Sequence, residues 1–214
     1  MRDFLAGDLG QVWVDLLRAV YRTGETVGDE TRELRNVCVT FVETGCRDPR
    51  LARFIDRQPV EDMRKVFFSD APNPFGHSYA DKVRGPRGRS DLSDVVELLA
   101  GEPWSKRAAV VLAGDGDGRV PCINTVHFLR RQEGLLVSYF SRGQDVFRKF
   151  YADAVCLHEM GRRVADPLGI PLAQVAGMIA SAHLYLADRQ DVENLLAEAT
   201  GPQGQASRLD ERRA

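Results

Sequence analysis

Cys122 is where the chemistry of this chain begins. It stands in GDGDGRVPCINTVHF (residues 114–128), where a turn-rich DGDG and a proline lead into an apolar run. A cysteine heading a strand is a small hydrophobe by default, and a nucleophile only where its surroundings favour the thiolate. The nearest downstream histidine, His127, lies at an odd spacing, which on a continuous strand turns it to the opposite face. A cysteine–histidine hydrolase is therefore disfavoured. DGDGR (115–119) lacks the third acidic ligand and the distal Glu of a calcium loop, so it reads as a hairpin turn.

Three more stretches carry residue types with work to do. YFSRGQD (139–145) ends a strand at Arg142 and passes through a glycine to a helix start at Asp145. Backbone N–H groups beside a guanidinium suit a phosphate, although any strand-end arginine looks the same in isolation. SAHLYL (181–186) alternates, setting Ser181, His183 and Tyr185 on one face and Ala182, Leu184 and Leu186 on the other. That polar face is either a satisfied core histidine with neighbours or the wall of a cavity. Asp153, in FRKFYADAVCLHEM, shares its helical face with apolar residues. An Asp in such a place has to be paired, capping or bound to a ligand.

The elements that position these residues follow from periodicity. GQVWVDLLRAVYR (10–22) aligns Val12, Trp13, Leu16, Leu17, Val20 and Tyr21 on one helical face, and NVCVTFVE (36–43) reads as a strand. PVEDMRKVFFS (59–69) predicts a short helix opened by proline. Residues 70–90 are rich in Pro, Gly and Arg and read as a charged surface loop. Ser90 or Asp91 is placed to cap a helix through DVVELLAG that ends near Gly101. AAVVLAG (108–114), VPCINTVHFL (120–129) and GLLVSYFS (134–141) predict a three-strand meander, residues 145–165 a helix stopped by DPLG, 175–188 a buried strand, and DVENLLAEA a last short helix. The expectation is one α+β domain over residues 1–200, an antiparallel-rich sheet packed with helices, with a flexible polar tail at 201–214.

Composition sets the outer bounds. The chain has 214 residues, 43% hydrophobic and 28% charged, and a net charge of −2. That balance argues against a broad nucleic-acid footprint. No stretch approaches a membrane span and the first residues lack the apolar core of a signal peptide, so a cytoplasmic protein is expected. Cys38, Cys46, Cys122 and Cys156 form no CxxC pair, which predicts reduced thiols and no structural zinc or other metal.

Taken in order, RVPC, a strand ending SRGQDVF, an amphipathic helix and a strand with SAHLYL resemble the thymidylate synthase family. The family pieces are Pro-Cys-His, Arg-Ser-x-Asp-Val-Phe and Asp-x-His-x-Tyr, at the same spacing from Cys122 to Tyr185. DLSDVVELLAGEPWSKRAAVVLAG resembles its helix, Pro-x-Ser-Arg-Arg and following strand; VWVDLLRAVYRTG resembles the first helix, and SYADKVRG its Tyr-Gly-x-x-Trp-Arg. The resemblance covers most of residues 10–188.

It implies that Cys122 adds to C6 of a pyrimidine nucleoside monophosphate, activating C5 to accept a one-carbon unit from 5,10-methylenetetrahydrofolate as co-substrate. Arg142 would bind the phosphate, with Arg32 or Arg35 as a looser further contact. Lys106 and Arg107 match the pair that reaches the other subunit's phosphate, which implies a homodimer across the sheet. His183 and Tyr185 match the pair on the sugar hydroxyl, Asp145 the contact to the pterin, and Tyr79 the tyrosine of the Tyr-Gly motif. The catalytic glutamate falls on Glu61, with Asp62 next and Glu43 third.

Asp153 stands where members acting on uracil carry Asn. A protonated carboxyl donates to N3 and accepts from the 4-amino group of cytosine, and Asp here resembles the related deoxycytidylate hydroxymethylases; hydroxymethylases deliver water to the exocyclic methylene. Ile123, Gly143, Ser181 and Lys149 replace the family's His, phosphate-binding Ser, Asp and folate-side Gly, and the segment after Tyr185 is short. The leading expectation is a CMP or dCMP C5-hydroxymethyltransferase, of the kind that serves nucleoside-antibiotic biosynthesis or phage DNA precursors. The alternatives are a short thymidylate synthase acting on dUMP and a catalytically silent nucleotide-binding homologue.

Overall fold

A computed structural model describes residues 2–44, 60–69, 79–80, 91–112 and 120–199. The DGDGR turn, Cys46, Pro59, Ser90, the tail from 201 and all of the 70–90 stretch except Tyr79 and Ala80 lie outside the described residues.

The chain runs β1 (Arg2–Leu5), α1 (Leu9–Thr23), β2 (Glu25–Val27), β3 (Thr31–Phe41), α2 (Val60–Phe68), α3 (Asp91–Gly101), β4 (Ala109–Val111), β5 (Ile123–Arg131), β6 (Gly134–Ser141), β7 (Gln144–Asp145), α4 (Phe150–Ala165), β8 (Leu172–Tyr185), a 3₁₀ turn (Leu186–Asp188) and α5 (Arg189–Ala199). The strands join in one sheet ordered β1-β3-β8-β6-β5-β4, with β2 alongside β3 and β7 alongside β8. An α+β architecture is thus observed, but the sheet is mixed: β6 and β7 run parallel to β8, and β1 parallel to β3. Parallel pairing of β6 with β8 needs a crossover, which α4 provides.

Helices cover one face of the sheet: α1 lies on β3 and β8, α4 on β6 and β8, and α2 and α3 pack against α4. The period of α1 buries Val12, Trp13, Leu16, Leu17 and Val20 against this face, and the Asp8 side chain accepts the Gln11 N–H to start the helix. Among the described residues no helix covers the other face. Cys38, Met178, Phe140, Thr125 and Val111 form a cross-strand row there, with Phe140 37% and Met178 39% exposed.

Alternation along the two central strands shifts phase halfway. On β3 Leu34 is buried and then Val37, Val39 and Phe41; on β8 Val175 and Ile179 are buried and then Ala182 and Leu184. At the shift Asn36 takes a left-handed φ of 53°, which Asn tolerates better than most side chains. The shift keeps Ala182 and Leu184 in the core, so Ser181, His183 and Tyr185 face away from it.

The helix expected from residue 145 begins five residues later, at Phe150. Gln144 and Asp145 instead pair with Ala182 and His183 of β8. β1 and β2 were not foreseen: they are short, exposed edge pieces with no alternation to betray them. No helix among the described residues is long and apolar enough to cross a membrane.

Candidate active site

The cysteine loop is clamped by the end of β6. The Cys122 carbonyl accepts the Arg142 N–H at 2.9 Å and the Ser141 hydroxyl at 3.1 Å. The Arg142 guanidinium reaches back to the loop, donating Nε to Val120 O at 3.0 Å and Nη2 to the same oxygen at 2.8 Å. On the far side, the buried Tyr79 hydroxyl oxygen accepts the Ile123 N–H at 3.4 Å. Three residues, Ser141, Arg142 and Tyr79, therefore fix the backbone on either side of one half-buried thiol.

Burial pushes the Cys122 thiol above its ordinary value. Arg142 opposes this first and Lys149 second, while Asp153 and Asp145 add to it. These opposing charges show that Arg142, Lys149, Asp153 and Asp145 gather around Cys122. The resting group is a thiol that a neighbouring cation biases towards thiolate.

Asp145 organises the turn into α4. Its Oδ1 accepts the Phe147 N–H at 3.1 Å and the Arg148 N–H at 2.9 Å, while burial holds its carboxyl above the usual range. Trp13 Nε1–H on α1 secures the same turn by donating to Val146 O at 2.7 Å, and the Val146 N–H donates to His183 O at 2.8 Å. His183 and Tyr185 meet edge to face at 5.6 Å, with the Arg148 guanidinium over the Tyr185 ring and paired with Asp188 at 2.5 Å. Across the sheet from this group, Ser181 donates to Glu33 at 2.5 Å. A carboxylate thus lies beside position 181, but it comes from the neighbouring strand.

Asp153 projects from the first turn of α4 and is 4% exposed. Burial raises its carboxyl to about 7, against a hydrogen bond from Gln144 Nε2 to Oδ2 at 2.5 Å. Burial raises the Tyr79, Tyr139 and Cys156 groups, and the nearby Asp153 carboxyl adds to each shift.

The other sequence candidates lie elsewhere. Arg32 donates Nη2 to Gly24 O at the end of α1, and Arg35 pairs with Glu25 at the sheet edge. Lys106 and Arg107 are exposed just before β4, Arg107 paired with Glu102 and the Lys106 carbonyl 2.9 Å from His127 Nε2. His127 is thereby engaged away from Cys122. Glu61 has a side chain 77% exposed and pairs with Arg64, which Glu159 also holds. Asp62 pairs with Lys65, and the Glu43 backbone bridges to Asp8. Among the described residues no group of three His, Cys, Asp or Glu could hold a metal ion.

Two residues of the cluster escaped sequence reading. Gln144 lies in a two-residue strand, which leaves no period to mark it. Tyr139 lies in a strand where aromatics are common, and its ring sits so close over Gly177 that a Cβ there would come within 2.1 Å of Cζ.

Fold and site together define an α+β protein with a half-buried cysteine thiol flanked by a cation and a buried acid. Comparison with known proteins narrows that class. No family model matches the chain. Curated archaeal proteins named "Putative thymidylate synthase" do match over nearly their whole lengths. The relative from Methanothermobacter marburgensis is 23% identical over 213 residues, covering 88% of this chain and 95% of its own. That from Methanocaldococcus jannaschii is 23% identical over 194 residues, 80% of this chain and 85% of its own. That from Methanosarcina barkeri is 23% identical over 201 residues, 89% and 93%. These relatives support a thymidylate synthase-like family for this chain, as its motifs implied.

Proposed function

We propose that this protein is a thymidylate synthase-like one-carbon transferase that hydroxymethylates C5 of a cytidine monophosphate. The observation that carries the reading is Asp153: a buried carboxyl beside the nucleophile that holds its proton up to about neutral pH. A protonated carboxyl donates to N3 of cytosine, a pattern that uracil, with its own N3–H, does not accept.

Each residue then has a stated task. The Cys122 sulfur adds to C6, and the C5=C6 electron pair becomes available at C5. Arg142 favours the thiolate and offers guanidinium N–H groups to the nucleotide phosphate. His183 and Tyr185 meet the sugar hydroxyl. When bound, methylenetetrahydrofolate supplies a one-carbon unit at the oxidation level of formaldehyde. Asp145, a carboxylate held rigid by two backbone N–H groups next to the nucleophile, suits the N–H donors of a pterin. Lys149 stands on that same side. C5 bonds to the donated carbon and gives up its own proton, and that carbon's bond to the folate nitrogen breaks, so that tetrahydrofolate leaves; water addition to the exocyclic methylene then restores C5=C6 as the Cys122 sulfur departs.

The functional unit we propose is a homodimer formed by the uncovered sheet faces. The exposed row through Met178 and Phe140 supplies the apolar contact, and Lys106 and Arg107 extend to the partner's phosphate.

Release of tritium from C5-labelled CMP, dCMP or dUMP, with the methylene donor present, tests the reading. Release from a cytidylate with a hydroxymethyl product is expected, and Cys122→Ala abolishes it. Release from dUMP alone with a methyl product establishes a short thymidylate synthase. No release from any of the three, with nucleotide still bound by Cys122→Ala, establishes a silent homologue.

A further inference from the structure

We propose that Gln144 is the second base-reading residue of this site: its Oε1 accepts the exocyclic amine of a 4-aminopyrimidine nucleotide while its Nε2 orients the Asp153 carboxyl. The inference rests on the cytidylate reading above and deepens it.

Among the described residues, five buried side-chain polar atoms lack a hydrogen-bond partner. Two of them, Gln144 Oε1 and Asp153 Oδ1, belong to one hydrogen-bonded pair. Gln144 is 2% exposed, so neither atom has bulk water as an alternative. A buried acceptor left unmade is costly, and two on one pair beside a nucleophile point to a ligand that completes them.

The pair is rigidly mounted. β7 fixes the Gln144 backbone opposite Ala182. Asp153 is fixed on α4, where its N–H donates to Lys149 O. Sites built on strand and helix hold their geometry better than sites on loops.

The chemistry of the two orphan atoms selects the ligand. A glutamine Oε1 only accepts, so it takes a donor. A proton on Asp153 Oδ1 makes that atom a donor. Acceptor and donor side by side complement the amine and N3 of cytosine, whereas O4 of uracil would set acceptor against acceptor. Reading uracil requires the amide turned over and the proton moved to Oδ2, which gives up the Nε2 to Oδ2 bond observed.

Equilibrium binding of CMP, UMP and the pyrimidin-2-one ribonucleotide, which lacks the 4-amino group, tests the assignment without the folate donor. The full chain is measured as wild type and as Gln144→Met, with Gln144→Asn as a second variant that keeps the amide but withdraws it by one methylene. Wild type is expected to bind CMP about tenfold more tightly than the deamino nucleotide, or 1.4 kcal/mol. In Gln144→Met that difference disappears and the CMP preference over UMP collapses; Gln144→Asn loses part of both. If either folded variant weakens all three nucleotides equally, or leaves the CMP-to-deamino ratio unchanged, Gln144 does not read the amine. The cytidylate reading has its own control: Asp153→Asn is expected to reverse the CMP preference. A wild type that prefers CMP and is reversed by that variant, with a Gln144→Met that changes no ratio, overturns the inference alone. A wild type that binds neither CMP nor UMP overturns both.

Discussion

The proton held by Asp153 makes the stability of the fold depend on pH. Burial raises its carboxyl from the usual 3.8 to about 7. Below pH 3.8 folded and unfolded chains both carry the proton, so the group is neutral to stability. As pH rises from there to about 7, the unfolded chain ionises while the folded one does not, and the folded state loses ground. Above about 7 both are ionised, and a buried charge remains. The total loss is about 4 kcal/mol, at about 1.4 kcal/mol for each pH step, and about 3 kcal/mol of it falls between pH 5 and pH 8.

Asp153→Asn removes the titration and keeps an oxygen that accepts from Gln144. Its stability relative to wild type is therefore expected to improve by about 3 kcal/mol from pH 5 to pH 8. Urea unfolding of both proteins at pH 5, 6, 7 and 8 measures this, because the remaining ionisable groups cancel in the difference. A gap that does not change with pH would falsify the burial argument, and a gap that moves the other way would show Asp153 stabilised as its anion.

Four further expectations follow from the same geometry. Gly177→Ala drives a methyl into the Tyr139 ring and is expected to destabilise by about 2–3 kcal/mol; pairing it with Tyr139→Leu recovers most of the loss in a double-mutant cycle by urea unfolding. Gly143→Ser is expected to fold normally, since the new Cβ lies 3.8 Å from His183 Cε1, and to tighten nucleoside monophosphate binding in calorimetry. Weaker binding would place the phosphate elsewhere. Arg142→Ala removes the nearest cation from Cys122, so the midpoint of its iodoacetamide reaction is expected to move to higher pH; an unmoved midpoint would mean that the guanidinium acts only on the loop carbonyls. Phe140→Asp on the uncovered sheet face is expected to yield a monomer by sedimentation, while a dimer that survives it must use another surface.

Much of the scaffold was legible because burial writes itself into periodic sequence. The 3.6-residue pattern of α1 and the alternation in SAHLYL named core and polar faces that the structure keeps. The order of RVPC, SRGQDVF and SAHLYL carried the resemblance to the thymidylate synthase family, because a pocket assembled from several strands constrains residues at set distances along the chain. Asp153 declared itself as a carboxyl on an apolar helical face.

What the chain alone left open are relations between elements close in space and far apart in sequence. The surroundings of Cys122 depended on Arg142, which the β5–β6 pairing brings back to the loop, and on Tyr79, which arrives from another part of the chain. The start of α4 moved because Asp145 is drawn into pairing with β8, a tertiary hydrogen-bond pattern that overrides local helix preference. Gln144 carried no signal at all, since a glutamine becomes informative only once burial removes water from its amide. Sequence determined which residue types were present and how far apart; only the folded sheet decided which of them share one dry volume, and there desolvation turns an ordinary aspartate into a proton donor at neutral pH.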